Sequence, residues 1–232
     1  MSQKLGRVEP SDWEHLEKYS LTTAMAVDLP TPTPVVVGVN WYENFDKPVK
    51  DKQGKWWVGK GDLGRLRGGH CVVMPQDNSD RAAWYKYYNQ GAEGACVGFG
   101  SSRMMSLLNR KKYNAHWLWN EAKKIDEWAD SNPGDNNGTS VRAAMDVLRL
   151  QGHMISSRTM PDLKEGIEEN RWAVSIDDLF SVLQNPIYKK LGAIPFHNSW
   201  GEAYPKKVWM PCETWHRLMN ESGEFTMAID KK

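Results

Sequence analysis

Asn89-Gln90-Gly91-Ala92-Glu93-Gly94-Ala95-Cys96-Val97-Gly98-Phe99-Gly100-Ser101-Ser102 is the stretch whose reading decides the fold. Glycines crowd the approach to a cysteine and let the backbone turn tightly. Beyond it, Val97, Gly100, Ser101, Met104, Met105 and Leu108 recur at the spacing of one helical face. Cys96 is therefore expected at, or just inside, the start of a helix. Free N–H groups and the positive end of the helix dipole there favour a thiolate, the nucleophilic form of cysteine. Gln90, a few residues upstream, can fold back and donate its amide to an oxyanion beside that sulfur.

These residues carry a family resemblance. The stretch resembles the active-site segment of papain-like cysteine peptidases, N-Q-G-x-C-G-[SA]-C-W-A-F-S, through Gln90, Gly91, Gly94, Ala95, Cys96, Phe99 and Ser101 or Ser102. Two departures stand out. The family's first cysteine is replaced near Glu93, and the Trp after the nucleophile is Val97. The resemblance implies an imidazole base in a G-H-A-V element, and Gly69-His70-Cys71-Val72 is similar to it. It also implies an orienting Asn in N-S-W-G, matched without change by Asn198-Ser199-Trp200-Gly201. There the Asn would fix the imidazole tautomer and the Trp would shield that bond from water. The segment from Gly138 to Met145 resembles the family's glycine-led helix beside the substrate cleft. It marks Asn137 and Gly138 as substrate-contact candidates, with Trp41 or Trp200 lining the cleft.

The order of these motifs is unusual. His70 precedes Cys96 by 26 residues and Asn198 follows it by 102, whereas the family order is Cys, His, Asn. The reading is a circularly permuted, two-lobed papain-like α+β fold, with one catalytic domain over 1–232. A helical lobe, roughly 82–175, would carry Cys96 and Gln90. A β-rich lobe from both ends, roughly 31–80 and 186–232, would carry His70 and Asn198. Permutation is physically cheap when the old termini lie close together and a surface loop is opened.

Composition narrows the function classes. The chain has 232 residues, 40% hydrophobic and 25% charged, with 12 Trp. A net charge of +1 with scattered Lys and Arg gives no electrostatic case for nucleic acid or an anionic membrane. No apolar run approaches the roughly 18 residues that span a bilayer, and no N-terminal stretch resembles a signal peptide or long inhibitory propeptide. Three cysteines without framework spacing suit a reduced compartment, so a cytoplasmic protein is expected. The short form resembles bacterial or bacteriophage branches of the family. No cofactor or metal is required; Cys212 and His216 share a helix face but lack a second ligand pair. His116, His153 and His197 read as structural, with His197 the rival of His70 as base.

Along the chain, the pattern reads β, then α, then β. Strands are expected at Val35–Val39 running into Asn40-Trp41-Tyr42, at Trp56-Trp57-Val58, and at His70–Met74. Helices are expected at 11–19, from Cys96, over Ala115–Asp130, after a Thr139 or Ser140 cap to Gly152, over Ile176–Leu183 behind a Ser175 cap, and over Glu213–Asn220. Pro75–Asp80 reads as a linker and Asn132–Gly138 as a loop. Arg171–Val174, Ala193–Phe196, Lys207–Met210 and Glu224–Ile229 read as further strands. The implied function is peptide-bond hydrolysis on a peptide or protein substrate. The sequence leaves open another thiol acyl transfer (a cell-wall amidase or transglutaminase-like reaction) and a catalytically inactive binding module.

Overall fold

The β-branched run Val35–Tyr42 (β1) is buried along almost its whole length, as a strand flanked on both sides and covered on both faces must be. The computed structural model describes residues 32–76, 88–127, 138–157, 159 and 162–230. After β1 come a 3-10 turn at Glu43–Asp46, then β2 (Val49–Lys50), β3 (Trp56–Trp57) and β4 (Leu66–Met74). Three helices follow: α1 (Cys96–Asn109), α2 (Ala115–Lys123) and α3 (Val141–Leu150). Next are β5 (His153–Met154), β6 (Lys164–Glu165), β7 (Ile167–Trp172), α4 (Ile176–Leu183), α5 (Pro186–Leu191) and β8 (Ala193–Phe196). A 3-10 turn at Gly201–Ala203, β9 (Val208–Pro211), α6 (Cys212–Asn220) and β10 (Glu224–Asp230) complete the described chain. The protein is thus a mixed α+β structure.

An antiparallel sheet in the order β4-β1-β10-β7 divides two cores. Because side chains alternate across a strand, Val35, Val37, Val39 and Trp41 fall on one face and Val36 on the other. The first face packs on the second sheet, β2-β3-β9-β8, in which β3 and β9 run parallel, and on α4 and α6. The second face packs on α1, α2 and α3. The same alternation on β4 sends Val72 and Met74 into the first core and Cys71 and Val73 into the second. His70 therefore shares the face of Trp41, and its neighbour Cys71 faces α1.

Local chemistry fixes the helix ends. Ser140 Oγ accepts from the Ala143 N–H at 3.1 Å, and Ser175 with Asp178 forms a reciprocal capping box. Asn114 caps α2 by accepting from Trp117 N–H at 3.1 Å. Two glycines set how closely α1 lies on its neighbours. A Cβ on Gly98 would stand 2.5 Å from the Ala115 carbonyl oxygen, and one on Gly100 would stand 2.7 Å from Cys71 Sγ.

Most expected elements are present, with shifted ends. β4 begins four residues before His70, because Gly68 and Gly69 pair with Trp41 and Asn40. β7 begins at Ile167 rather than Arg171 and forms the outer strand of the main sheet, although it falls within the stretch assigned to the helical lobe. The helix from Ala115 ends at Lys123 and passes into turns. The short helix α5, with Pro186 at its first position and an Asn185 cap, was not anticipated, nor was the β5–β6 pair. The expected helix at 11–19, most of the 75–80 linker and the 132–138 loop, and Asn137 lie outside the described residues. Among the described residues no helix is long and apolar enough to cross a membrane.

Because the atoms facing Gly98 are backbone and Cβ atoms that cannot swing aside, Gly98→Ala should destabilise the fold by about 1–3 kcal/mol. Urea denaturation would read this as a lowered midpoint with an unchanged slope.

Candidate active site

His70 has 8% of its surface exposed, and desolvation pulls its pKa down from 6.5 to about 4. Two tryptophans enclose the ring. Trp41 meets it edge-on with centroids 4.6 Å apart, and Trp200 lies tilted over it at 4.9 Å. Asn198 reaches the site because β8 runs on into a backbone pair with β4. His197 N–H donates to the Val73 carbonyl at 2.7 Å, and Val73 N–H donates back at 3.1 Å. The next residue, Asn198, then stands beside His70.

The hydrogen bonds at Asn198 decide the imidazole's tautomer. Its Oδ1 accepts from the Ser199 backbone N–H at 2.7 Å, so that atom must be the amide oxygen. The same oxygen lies 2.8 Å from His70 Nε2. An acceptor there requires the proton on Nε2, which leaves the Nδ1 lone pair of the neutral ring as its basic position. This bond pushes the His70 pKa up, as does the charge of Asp46, both against the larger effect of burial.

Gln90 is tied to the Asn198 segment at two points and to its own loop at a third. Its N–H donates to the Ser199 carbonyl at 2.9 Å, Ser199 Oγ donates to its Oε1 at 2.6 Å, and its Nε2 donates to the Glu93 carbonyl at 2.9 Å. Asn89 and Trp200 form a backbone bridge alongside. The amide is thereby oriented, and one Nε2 hydrogen is left for a ligand. Glu93, standing where the papain-like pattern has a cysteine, also meets His116 of α2 at 2.8 Å and pins the loop to that helix.

Cys96 is the first residue of α1 and is partly exposed. The backbone N–H groups of Cys71, Val97 and Cys96 itself hydrogen-bond its sulfur and hold the thiol pKa down, but burial outweighs them and the net shift is upward. The sulfur thus approaches the β4 backbone at the residue next to His70. The structure joins His70 to Asn198, and Gln90 to Ser199; Cys96 meets this group through the backbone N–H of Cys71. Gly138 lies beside the same loop, its Cβ position 3.9 Å from the Gly94 carbonyl oxygen.

His197, the rival base, meets Arg103 Nη2 through Nδ1 at 3.3 Å, and burial with the charges of Arg103 and Lys207 holds its pKa well below the usual value. His153 is fully buried between Tyr113 and Trp117 and bonds Ser102 Oγ at 2.7 Å. Sequence reasoning missed Asp46 and Tyr204. Asp46 accepts from Trp41 Nε1–H at 2.8 Å, and the Tyr204 hydroxyl donates to the Phe45 carbonyl at 2.9 Å. No local pattern marks either one. Among the described residues no group of three or more His, Cys, Asp or Glu could hold a metal ion.

No family model matches the chain, and no curated protein matches it. Among solved structures it is similar to xylellain, a cysteine protease from Xylella fastidiosa, with a TM-score of 0.50 and 12% identity. The alignment covers 68% of this chain and 86% of that one. At this identity the likeness is one of fold.

The histidine environments give a pH signature. Burial holds His153 at about 3, and His197 well below 6.5, while both return to about 6.5 on unfolding. The unfolded chain then binds more protons than the folded one below pH 6.5. Stability should be full above that pH and fall as pH drops towards 4, by about 1.4 kcal/mol per pH unit for each histidine. Urea midpoints across this range should show the loss, reduced in a His153→Gln variant.

Proposed function

We propose that the protein is a cysteine peptidase of papain-like, circularly permuted, two-lobed architecture that hydrolyses peptide bonds with Cys96, His70, Asn198 and Gln90. The observation that carries this reading is the Asn198 Oδ1–His70 Nε2 contact of 2.8 Å, together with the Ser199 N–H that fixes the amide. It orients an imidazole with a free Nδ1 lone pair on the residue next to the one whose N–H meets the Cys96 sulfur. The fold likeness to a cysteine protease supports it.

In this mechanism the Cys96 thiol gives its proton to His70 Nδ1, and Sγ attacks the substrate carbonyl carbon. The C=O electron pair moves onto oxygen, where the remaining Gln90 Nε2–H and the Cys96 backbone N–H stabilise it. As the tetrahedral centre collapses, the C–N bond breaks and the His70 imidazolium protonates the departing amine. Water then attacks the thioester with His70 taking its proton, and the thiol leaves with that proton restored. Asn198 holds the ring through both halves, and Trp200 keeps water from its hydrogen bond. Gly138, and Asn137 before it, would meet the extended substrate. The helical part, roughly 82–175, and the β-rich part from both ends, roughly 31–80 and 186–232, would form the two walls of the cleft.

One observation favours a different reading, a binding module that kept the motifs for structure. Burial raises the Cys96 pKa and lowers that of His70, so each group alone prefers its neutral form. Thiol reactivity separates the two. With limiting iodoacetamide at pH 6, a peptidase should alkylate Cys96 well ahead of Cys71 and Cys212, and His70→Ala should abolish the preference. Slow, equal labelling of all three would favour the binding module.

On a peptide library, Cys96→Ala should lose at least about a thousandfold in kcat. Gln90→Ala should lose about a hundredfold in kcat with little change in KM, since its N–H acts on the transition state. A Cys96→Ala protein that cleaves at the wild-type rate overturns the proposal.

A further inference from the structure

Asp46 lies in the 3-10 turn Glu43–Asp46, 24 residues before His70 and outside every motif read from the sequence. That turn is held rigidly. Glu43 N–H donates to the Arg65 carbonyl at 2.9 Å and Asn44 N–H to the Leu63 carbonyl at 3.1 Å. Phe45 is fully buried against Trp41, and its carbonyl accepts the Tyr204 hydroxyl. Asp46 Oδ1 accepts the Trp41 indole N–H at 2.8 Å, while Oδ2 lies 3.3 Å from Arg67 Nη1. Trp41 in turn packs edge-on against both His70 and Trp200, at 4.6 and 5.4 Å between centroids.

We propose that Asp46 is a positioning residue for His70: it anchors the Trp41 ring that walls the imidazole, and its negative charge stabilises the imidazolium inside an otherwise apolar cage. The second role rests on reading His70 as the base; the first does not. Four titratable or charged groups lie around this part of the site. Asp46 stands on the 3-10 turn, and Cys96, on α1, meets the backbone N–H of Cys71, the residue after His70. Tyr204, whose phenol burial and Asp46 push far above its ordinary value, stands on the side of Asn198. Arg67, on His70's own strand, is half-exposed and paired with Asp46. Asp46 is the carboxylate whose charge raises the His70 pKa, and burial is what it works against. Its charge acts on the histidine. The expected consequence is specific: Asp46 holds up the alkaline limb of the activity profile, where the imidazolium loses its proton, more than the acid limb.

The test follows the His70 ring proton by NMR in a Cys96→Ala background, where no activity is needed and the thiol cannot couple. Asp46→Asn keeps an acceptor for Trp41 while removing the charge and with it the ion pair to Arg67. It should lower the His70 titration midpoint by about half a pH unit or more. Asp46→Glu should restore it in part. Arg67→Gln, an exposed change that leaves Asp46 unneutralised, should move the midpoint the other way. In the enzyme with Cys96 present, Asp46→Asn should shift the alkaline limb of kcat/KM downward and lower kcat about threefold at pH 8, with KM little changed. An unmoved His70 midpoint in a folded Asp46→Asn protein overturns the charge role. Should that variant not fold, an unmoved midpoint in Arg67→Gln does the same. If the NMR shifts appear but no peptide is cleaved and Cys96 is unreactive, the peptidase reading fails while the Asp46–His70 coupling stands.

Discussion

An imidazole buried among aromatic rings must have its N–H met, and one amide oxygen meets this one. Asn198 Oδ1 takes two donors, the Ser199 backbone N–H at 2.7 Å and His70 Nε2–H at 2.8 Å. Leaving that buried donor unpaired would cost about 1–3 kcal/mol, enough to turn or flip the ring. The rest of the candidate site follows from this bond. It fixes the tautomer, so the basic nitrogen is Nδ1. It fixes the Asn198–Gly201 segment, whose Ser199 in turn orients Gln90 through a 2.6 Å hydrogen bond. His70 and Gln90 are thereby parts of one hydrogen-bonded unit. Asn198 Nδ2, buried without a hydrogen bond of good geometry, still helps hold down the phenol of Tyr204.

A second constraint is the pleat of β4. His70 and Cys71 are adjacent, so one faces the core shared with the second sheet and the other faces α1. Cys96 comes to the boundary between those faces, and small residues allow it. Gly100 lets α1 settle on Cys71 Sγ, and Gly98 lets α2 settle on α1. Cys96, one turn before Gly100, then meets the β4 backbone N–H of Cys71. Close packing on glycine also explains why the small-residue start of α1 is so thoroughly buried: Val97 through Ser102 all lie within the core.

Much of this was legible in the sequence because it is local. Serines 140 and 175 announce their helices through the orphan N–H groups they satisfy, and the β-branched run Val35–Val39 announces a central strand. The start of β4 was not, since Gly68 and Gly69 mark turns by propensity and pair as strand only because Asn40 and Trp41 lie opposite. Two-residue strands such as β5 and β6 carry no periodicity at all. The Gln90–Ser199 contact spans 109 residues, and a motif says that both matter without saying that they touch. Asp46 is the sharpest case. Its partners Trp41 and Arg67 lie at unrelated offsets, and its neighbour Glu43 looks the same in sequence yet pairs with exposed Arg65.

The energetics show why such outer groups matter. Moving His70 from 6.5 to about 4 corresponds to roughly 3 kcal/mol against its charged form. A thiolate brought to about 4 Å from the imidazolium would return about 4 kcal/mol at the effective dielectric typical of proteins. That attraction covers the histidine's burial but leaves little for the thiol's own, which is also unfavourable. The ion pair of the proposed mechanism would therefore sit near balance, with small fixed charges deciding its population. The backbone N–H groups of Cys71, Cys96 and Val97 act on the sulfur side, and Asp46 with Asn198 acts on the imidazole side. In the proposed mechanism, a substrate that displaces water from around this pair would strengthen every one of these interactions at once. The groups that favour charge are in place before substrate arrives, so the proposed pair is already partly ionised at rest and Cys96 is reactive in the free protein.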